Sequence, residues 1–174
     1  MNDIAENKLE LNPQQEQFRR KIINPLNFWW FLLTGVPAGW IAGMRLKELQ
    51  ASKATTSIPF KFLNKNPFKS IYFAVQSMAA ELSTAALVLL HCHGYKPSIA
   101  YIIVGLEAKF VKKATGRTFF TCESGNLVKE AVDHCLTTGE PAVVSLQTIG
   151  KMDDGTVVSE FVFSWSLKQR SKVS

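Results

Sequence analysis

Apolar and polar positions along the chain fall into three kinds of pattern. Residues 55–63, TTSIPFKFL, alternate Ile58, Phe60 and Phe62 with Pro59 and Lys61, which predicts a strand, and the proline points to a sheet edge. Residues 70–91, SIYFAVQSMAAELSTAALVLLH, carry a single charge, Glu81. That run is too long for a strand and rich in Ala, Leu and Met, so it predicts a long helix that Gly94 ends, with Pro97 beyond. Downstream, 98–111 is Ile- and Val-rich with a bend or bulge marked by Gly105, and RTFFTCES reads as the next strand. NLVKEAVDHCLTTGE reads as a short helix capped by Asn126. PAVVSLQTIGKM and TVVSEFVFSWSLKQR are two further strands, joined by the hairpin signal Asp153-Asp154-Gly155.

The N-terminal third differs. Residues 1–21 form a polar lead-in, helical after Asn12-Pro13. From Ile22 to Met44 there is no charge, and the length would suit a transmembrane helix. Pro25, Gly35, Pro37, Gly39 and Gly43 break it, so two short helices are predicted, the second through Trp40–Gln50, with Trp29, Trp30 and Trp40 covering a core or a neighbouring subunit. Membrane contact through this segment is the minor alternative.

The predicted order is strand, long helix, then four strands with a short helix among them. Short connections make the sheet mostly antiparallel, giving an α+β architecture in which a curved sheet wraps a buried helix. The 174 residues fit one domain, with 1–50 an N-terminal helical segment and 55–168 the core.

Composition changes this picture little: 47% hydrophobic and 20% charged residues are globular values. The net charge of +6 suits an anionic partner, whether nucleic acid, membrane surface or a phosphate-bearing small molecule, and equally suits plain solubility. Cys92, Cys122 and Cys135 form no CxxC pair and read as reduced thiols in a cytosolic protein. The polar N-terminus lacks signal-peptide character. His91-Cys92-His93 suggests a metal at first sight, but its ligands would not converge, so no metal is expected. Alternating Phe161, Phe163 and Trp165 suit a core better than a nucleic-acid platform.

The candidate chemistry centres on Glu81. A carboxylate leaving water costs several kcal/mol unless it is paired or faces a wet cavity. Ser77, Glu81 and Thr84 share one helix face, a polar stripe expected to line a cleft rather than meet the sheet. Glu81 is then either satisfied by Ser77, Thr84 or a lysine, or a functional carboxylate with a raised pKa, acting as general base or nucleophile.

The element order and the long helix resemble the hotdog fold, many of whose members are acyl-CoA thioesterases. The phenylacetyl-CoA type carries an Asn, a Gly three residues on, a His-Gly-Gly opening the helix, and an acidic residue nine after the His. NPFKSIYFAVQSMAAE aligns with that motif without a gap: Asn66 on the Asn, Lys69 on the first Gly, Tyr72, Phe73 and Ala74 on His-Gly-Gly, and Glu81 on the acidic residue. KFVKKATGR resembles the family's strand–turn–strand segment, and the likeness spans about residues 55–168. The N-terminal helical part looks like an uncharacterised branch of the superfamily.

The resemblance implies a cytoplasmic homodimer, or a tetramer of paired dimers, acting on an acyl-CoA or related thioester. It needs no cofactor, CoA entering only as part of the substrate. Glu81 would be base or nucleophile, Asn66 would position substrate or water, and the Phe73 N–H would hold the oxyanion with Tyr72 assisting. Ala74, Ser77 and Thr84 would line the substrate site, and Lys69, Lys112, Lys113 and Arg117 would meet CoA phosphates. The replaced His and glycines leave a second expectation open, a non-catalytic protein that binds acyl-CoA or a lipid-like ligand.

Overall fold

The computed structural model describes residues 9–170. Residues 1–8, the start of the expected polar lead-in, lie outside that range. The first helix, α1 (Pro13–Ile23), begins where Asn12-Pro13 predicted. Asn12 Oδ1 accepts from the Gln15 N–H at 2.9 Å, and Gln15 Oε1 accepts from the Asn12 N–H at 3.0 Å, a reciprocal cap. The uncharged segment splits into α2 (Pro25–Gly35) and α3 (Pro37–Ala42), each with proline at its first position. Trp29 meets Trp40 edge-on at 5.6 Å and holds the two helices together, while Trp30 projects outward.

The second short helix does not continue to Gln50. Gly43 adopts a left-handed φ of 77° and stops it, and Arg45–Leu49 is a strand, β1. The i, i+3 spacing of Leu46 and Leu49 imitates a helix. A β-bulge between Leu46 and Glu48, with Lys47 as the extra residue, instead turns both leucines inward. The next strand, β2 (Ala54–Ile58), is shorter than predicted and lies between β1 and a later strand, not at an edge. Pro59 falls one residue past the last pairing, so the ladder loses no donor. Phe62 belongs to a 3-10 turn, Phe62–Asn64, rather than to the strand.

The long helix α4 (Phe73–Cys92) follows, then β3 (Ile99–Phe110), β4 (Thr118–Cys122), α5 (Gly125–Thr138), β5 (Ala142–Met152) and β6 (Val157–Gln169). Six strands form one antiparallel sheet in the order β1-β2-β4-β5-β6-β3. The register shift between Ile103 and Gly105 is the predicted bulge, and Gly155, with φ 81°, completes the β5–β6 hairpin.

The sheet curves around α4. Ala79 and Ala80 are fully buried, and their short side chains let the strands approach closely enough for Thr56 Oγ1 to donate to the Ala79 carbonyl at 2.6 Å. Ser83 and Thr148 hydroxyls meet at 2.8 Å on the same face. By length and composition α4 could cross a membrane, but most of it is enclosed by the sheet, α1, α3 and α5.

The short helix starts one residue before the expected cap: Ser124, not Asn126, precedes it. Gly125 donates to the Ser52 carbonyl at 3.0 Å, and a Cβ there would collide with the backbone of Ala51 and Ser52. Gly125→Ala is therefore expected to cost about 1–3 kcal/mol, read as a lower denaturation midpoint in urea. The three cysteines are free and buried, and burial pushes the Cys92 thiol up to about 12.

Candidate active site

The site begins in the loop before α4. The Asn66 side chain organises it: Oδ1 accepts from the Phe68 N–H at 3.0 Å and from the Ser70 N–H and hydroxyl, both at 3.2 Å. The loop closes through Asn66 N–H to Ser70 carbonyl at 2.9 Å and a bridge between Lys65 and Ile71. With Oδ1 occupied, the Asn66 amide nitrogen has no partner among the described residues.

Lys69 sits in this turn at φ 59°. A side chain is strained there, and glycine is not. The backbone thus has the conformation expected where the aligned motif has glycine, with lysine in its place. Lys69→Gly is expected to stabilise the protein by about 0.5–1 kcal/mol, the relief of strain less the extra entropy of an unfolded glycine, measured by chemical denaturation.

The chain is then pinned on both sides, by Ile71 N–H to Ala114 carbonyl and Tyr72 N–H to Asn64 carbonyl, each 2.8 Å. Tyr72 is the N-cap of α4 but supplies no side-chain cap. Its carbonyl accepts from Val75 and Gln76, while the N–H groups of Phe73 and Ala74 have no acceptor among the described residues. Open donors at the positive end of a 20-residue helix suit a developing negative charge. The rings of Tyr72 and Phe73 stack edge-on at 4.8 Å and are both exposed.

A cleft of about 290 Å³ opens here, lined by Asn66, Ser70, Phe73, Gln76, Lys112 and Lys113 among others. It brings together four of the residues singled out in the sequence. Ser70 and Gln76 were missed. Gln76 is buried, donates to the Ile71 carbonyl at 3.0 Å and accepts from the Ser159 hydroxyl at 2.9 Å, tying the helix start to β6. Its signal was present: an amide one turn into an otherwise apolar helix. Lys69 and Arg117 are exposed and do not line the cleft.

The predicted polar stripe divides. Ala74, Ser77 and Glu81 are half-buried and lie along the least covered face of α4. Thr84 does not join them. It is fully buried against the sheet, where its hydroxyl accepts from Trp165 Nε1 at 3.1 Å and donates to the Glu81 carbonyl at 2.8 Å. A hydroxyl that can reach the preceding turn's carbonyl satisfies itself locally and can face the core. Ser77 likewise donates to the Phe73 carbonyl at 2.9 Å. Neither hydroxyl serves the Glu81 carboxylate, and no ion pair or hydrogen bond among the described residues holds it. Burial alone pushes its pKa up to about 7.

Glu81 is absent from the cleft of its own chain. It lies eight residues beyond Phe73, which is about 12 Å along a helix rising 1.5 Å per residue. A carboxylate and an oxyanion donor acting on one carbonyl must both lie about 3 Å from it. One chain therefore supplies the two groups but not in a single constellation.

No protein-family model and no curated protein matches the chain. Solved structures do. A Pseudomonas aeruginosa protein of unknown function and probable thioesterase superposes with a TM-score of 0.70 at 20% identity, covering 84% of this chain and 97% of that one. The fold is the hotdog fold. A Haemophilus influenzae thioesterase matches at TM-score 0.62 and 8% identity, over 87% of this chain and 95% of its own. A mutant thioesterase from Pseudomonas aeruginosa matches at 0.63 and 13%, over 93% and 99%. In each case the shared region exceeds four-fifths of this chain.

Proposed function

We propose that this hotdog protein is a cytoplasmic homodimer that hydrolyses an acyl-CoA or related thioester. The observation that carries the reading is Glu81: a half-buried, unpartnered carboxylate on the open face of the central helix, with a pKa raised to about 7. Such a group is a competent base near neutral pH, because a catalytic pKa works best close to the operating pH. Glu81 takes a proton from water as the water adds to the thioester carbonyl, and passes it to the departing CoA sulfur as the C–S bond breaks. Alternatively its carboxylate adds directly and displaces CoA to form a mixed anhydride, and water then hydrolyses that anhydride to the free acid and Glu81. The Phe73 N–H receives the oxyanion, the Asn66 amide orients water or substrate, and CoA leaves as the thiol after protonation. Lys112 and Lys113 at the cleft supply positive charge for CoA phosphates, with Lys69 and Arg117 nearby on the surface.

The 12 Å offset within one chain supports a composite site, in which Glu81 of one copy acts beside Phe73 of the other. The free edge of the sheet gives the means. β3 is twelve residues long, and Ile102, Val104, Leu106 and Phe110 on it are 65%, 58%, 51% and 47% exposed. A long, apolar, unpaired edge strand is a template for pairing with another chain. The Phe73 and Phe110 rings stand 6.2 Å apart, so the edge runs into the helix start.

The second reading, a protein that binds acyl-CoA without hydrolysing it, is favoured by the exposed Tyr72 and Phe73 rings where the aligned motif has His and Gly. Assay of the purified protein against acyl-CoAs of varied chain length separates the two. Thiol release that disappears in Glu81→Gln supports the hydrolase, and saturable binding without thiol release supports the binding protein.

A further inference from the structure

A second exposed apolar cluster lies on the loop that leads to the cleft. Phe62 is 85% exposed, Phe68 71% and Leu63 65%, although the loop itself is firmly built. Asn64 is buried and donates from Nδ2 to the carbonyls of Ala42 and Pro59 at 2.9 and 2.8 Å. Lys61 Nζ reaches the Ile41 carbonyl at 2.7 Å, fixing the loop to α3, where the Ile41 side chain is also exposed. The loop is held by its polar backbone contacts while its large apolar side chains point to solvent.

Charge sets this cluster apart from the β3 edge. No acidic residue occurs between Glu48 and Glu81, whereas Lys61, Lys65 and Lys69 lie in the loop itself. Lys65 Nζ sits 5.1 Å from the centre of the Phe60 ring, so cationic and aromatic groups alternate along the loop. Phe62 and Leu63 occupy a 3-10 turn with no strand edge to pair. Apolar tips flanked by lysines suit a surface that offers hydrocarbon beneath a layer of negative charge.

We propose that the 61–69 loop docks the protein on an anionic phospholipid surface, with Phe62, Leu63 and Phe68 entering the interface and the lysines meeting headgroup phosphates. Asn66 belongs to the same loop and lines the cleft. On the thioesterase reading above, docking therefore brings the cleft mouth to a thioester whose acyl chain is dissolved in the bilayer. The docking step itself needs no catalysis, so the two readings fail separately.

Flotation of the full chain with extruded vesicles tests it. Partitioning onto vesicles of phosphatidylcholine with 30% phosphatidylglycerol is expected to exceed that onto phosphatidylcholine alone by about tenfold or more, and to weaken as salt rises. Phe62→Ser with Leu63→Ser, and separately Lys65→Glu, each lower that partitioning about tenfold while the circular dichroism spectrum and thermal midpoint stay near wild type. Equal partitioning onto both vesicle types, no partitioning, or variants that bind as well as wild type would overturn the proposal. So would a serine variant that changes the mass of the particle in solution, which would make the loop a subunit contact.

Discussion

Glu81→Gln is expected to lower the rate of thioester hydrolysis by about a thousandfold while leaving acyl-CoA binding within a few-fold of wild type. The substitution keeps the shape and removes the base. The pH dependence follows from the raised pKa. Only the carboxylate form accepts a proton, so the wild-type rate climbs as pH rises toward about 7 and levels off above it, and the variant loses that inflection. Stability moves the opposite way. Folding favours the protonated carboxyl, so this contribution is fully present below the ordinary glutamate value of 4.5 and is lost as pH rises through about 7. Thermal midpoints of wild type and Glu81→Gln should therefore coincide near pH 4 and diverge by pH 8, with the variant the more stable. A variant that is inactive because it is misfolded would show the reverse.

Ile102→Lys combined with Leu106→Lys is expected to convert a dimer into a single chain of 19.4 kDa by sedimentation velocity. Both side chains are more than half exposed in one protomer, so placing lysine there leaves its own core untouched. Charges along a free strand edge block pairing with another chain. If the site is shared, hydrolysis falls with the dimer by about a hundredfold or more, because neither chain alone brings Glu81 to the Phe73 N–H. Mixing supplies the sharper observation. Glu81→Gln and Asn66→Ala chains, each impaired alone, should regain part of the wild-type rate when exchanged into heterodimers. No recovery on mixing would place the site within one chain.

The elements from α4 onward were legible in the sequence because their signals are local and mutually consistent. A 20-residue run with a single charge, Gly105 at a bulge and Asp153-Asp154-Gly155 at a hairpin each have one cheap structural solution. The misread elements were those whose local pattern is reset by a neighbour. Leu46 and Leu49 carry helical spacing that only a bulge against β2 turns into a strand. Pro59 marks an edge only if it lies within the ladder, and it lies just outside. In the site, Asn66, Phe73, Lys112 and Lys113 line one cleft. Thr84 was misplaced because helical periodicity assigns a face within about a turn but cannot tell a stripe toward a cleft from one toward Trp165. Gln76 was passed over because attention to charge hides a buried amide.

The central question is whether this chain breaks a thioester bond with Glu81. Thiol release from medium- and long-chain acyl-CoAs, followed from pH 5 to 9 for wild type and Glu81→Gln side by side, decides it. The expected result is turnover by wild type that rises to a plateau above an inflection near 7, and a variant about a thousandfold slower with no inflection. Tight, saturable binding of the same acyl-CoAs with no thiol release by either protein would contradict it.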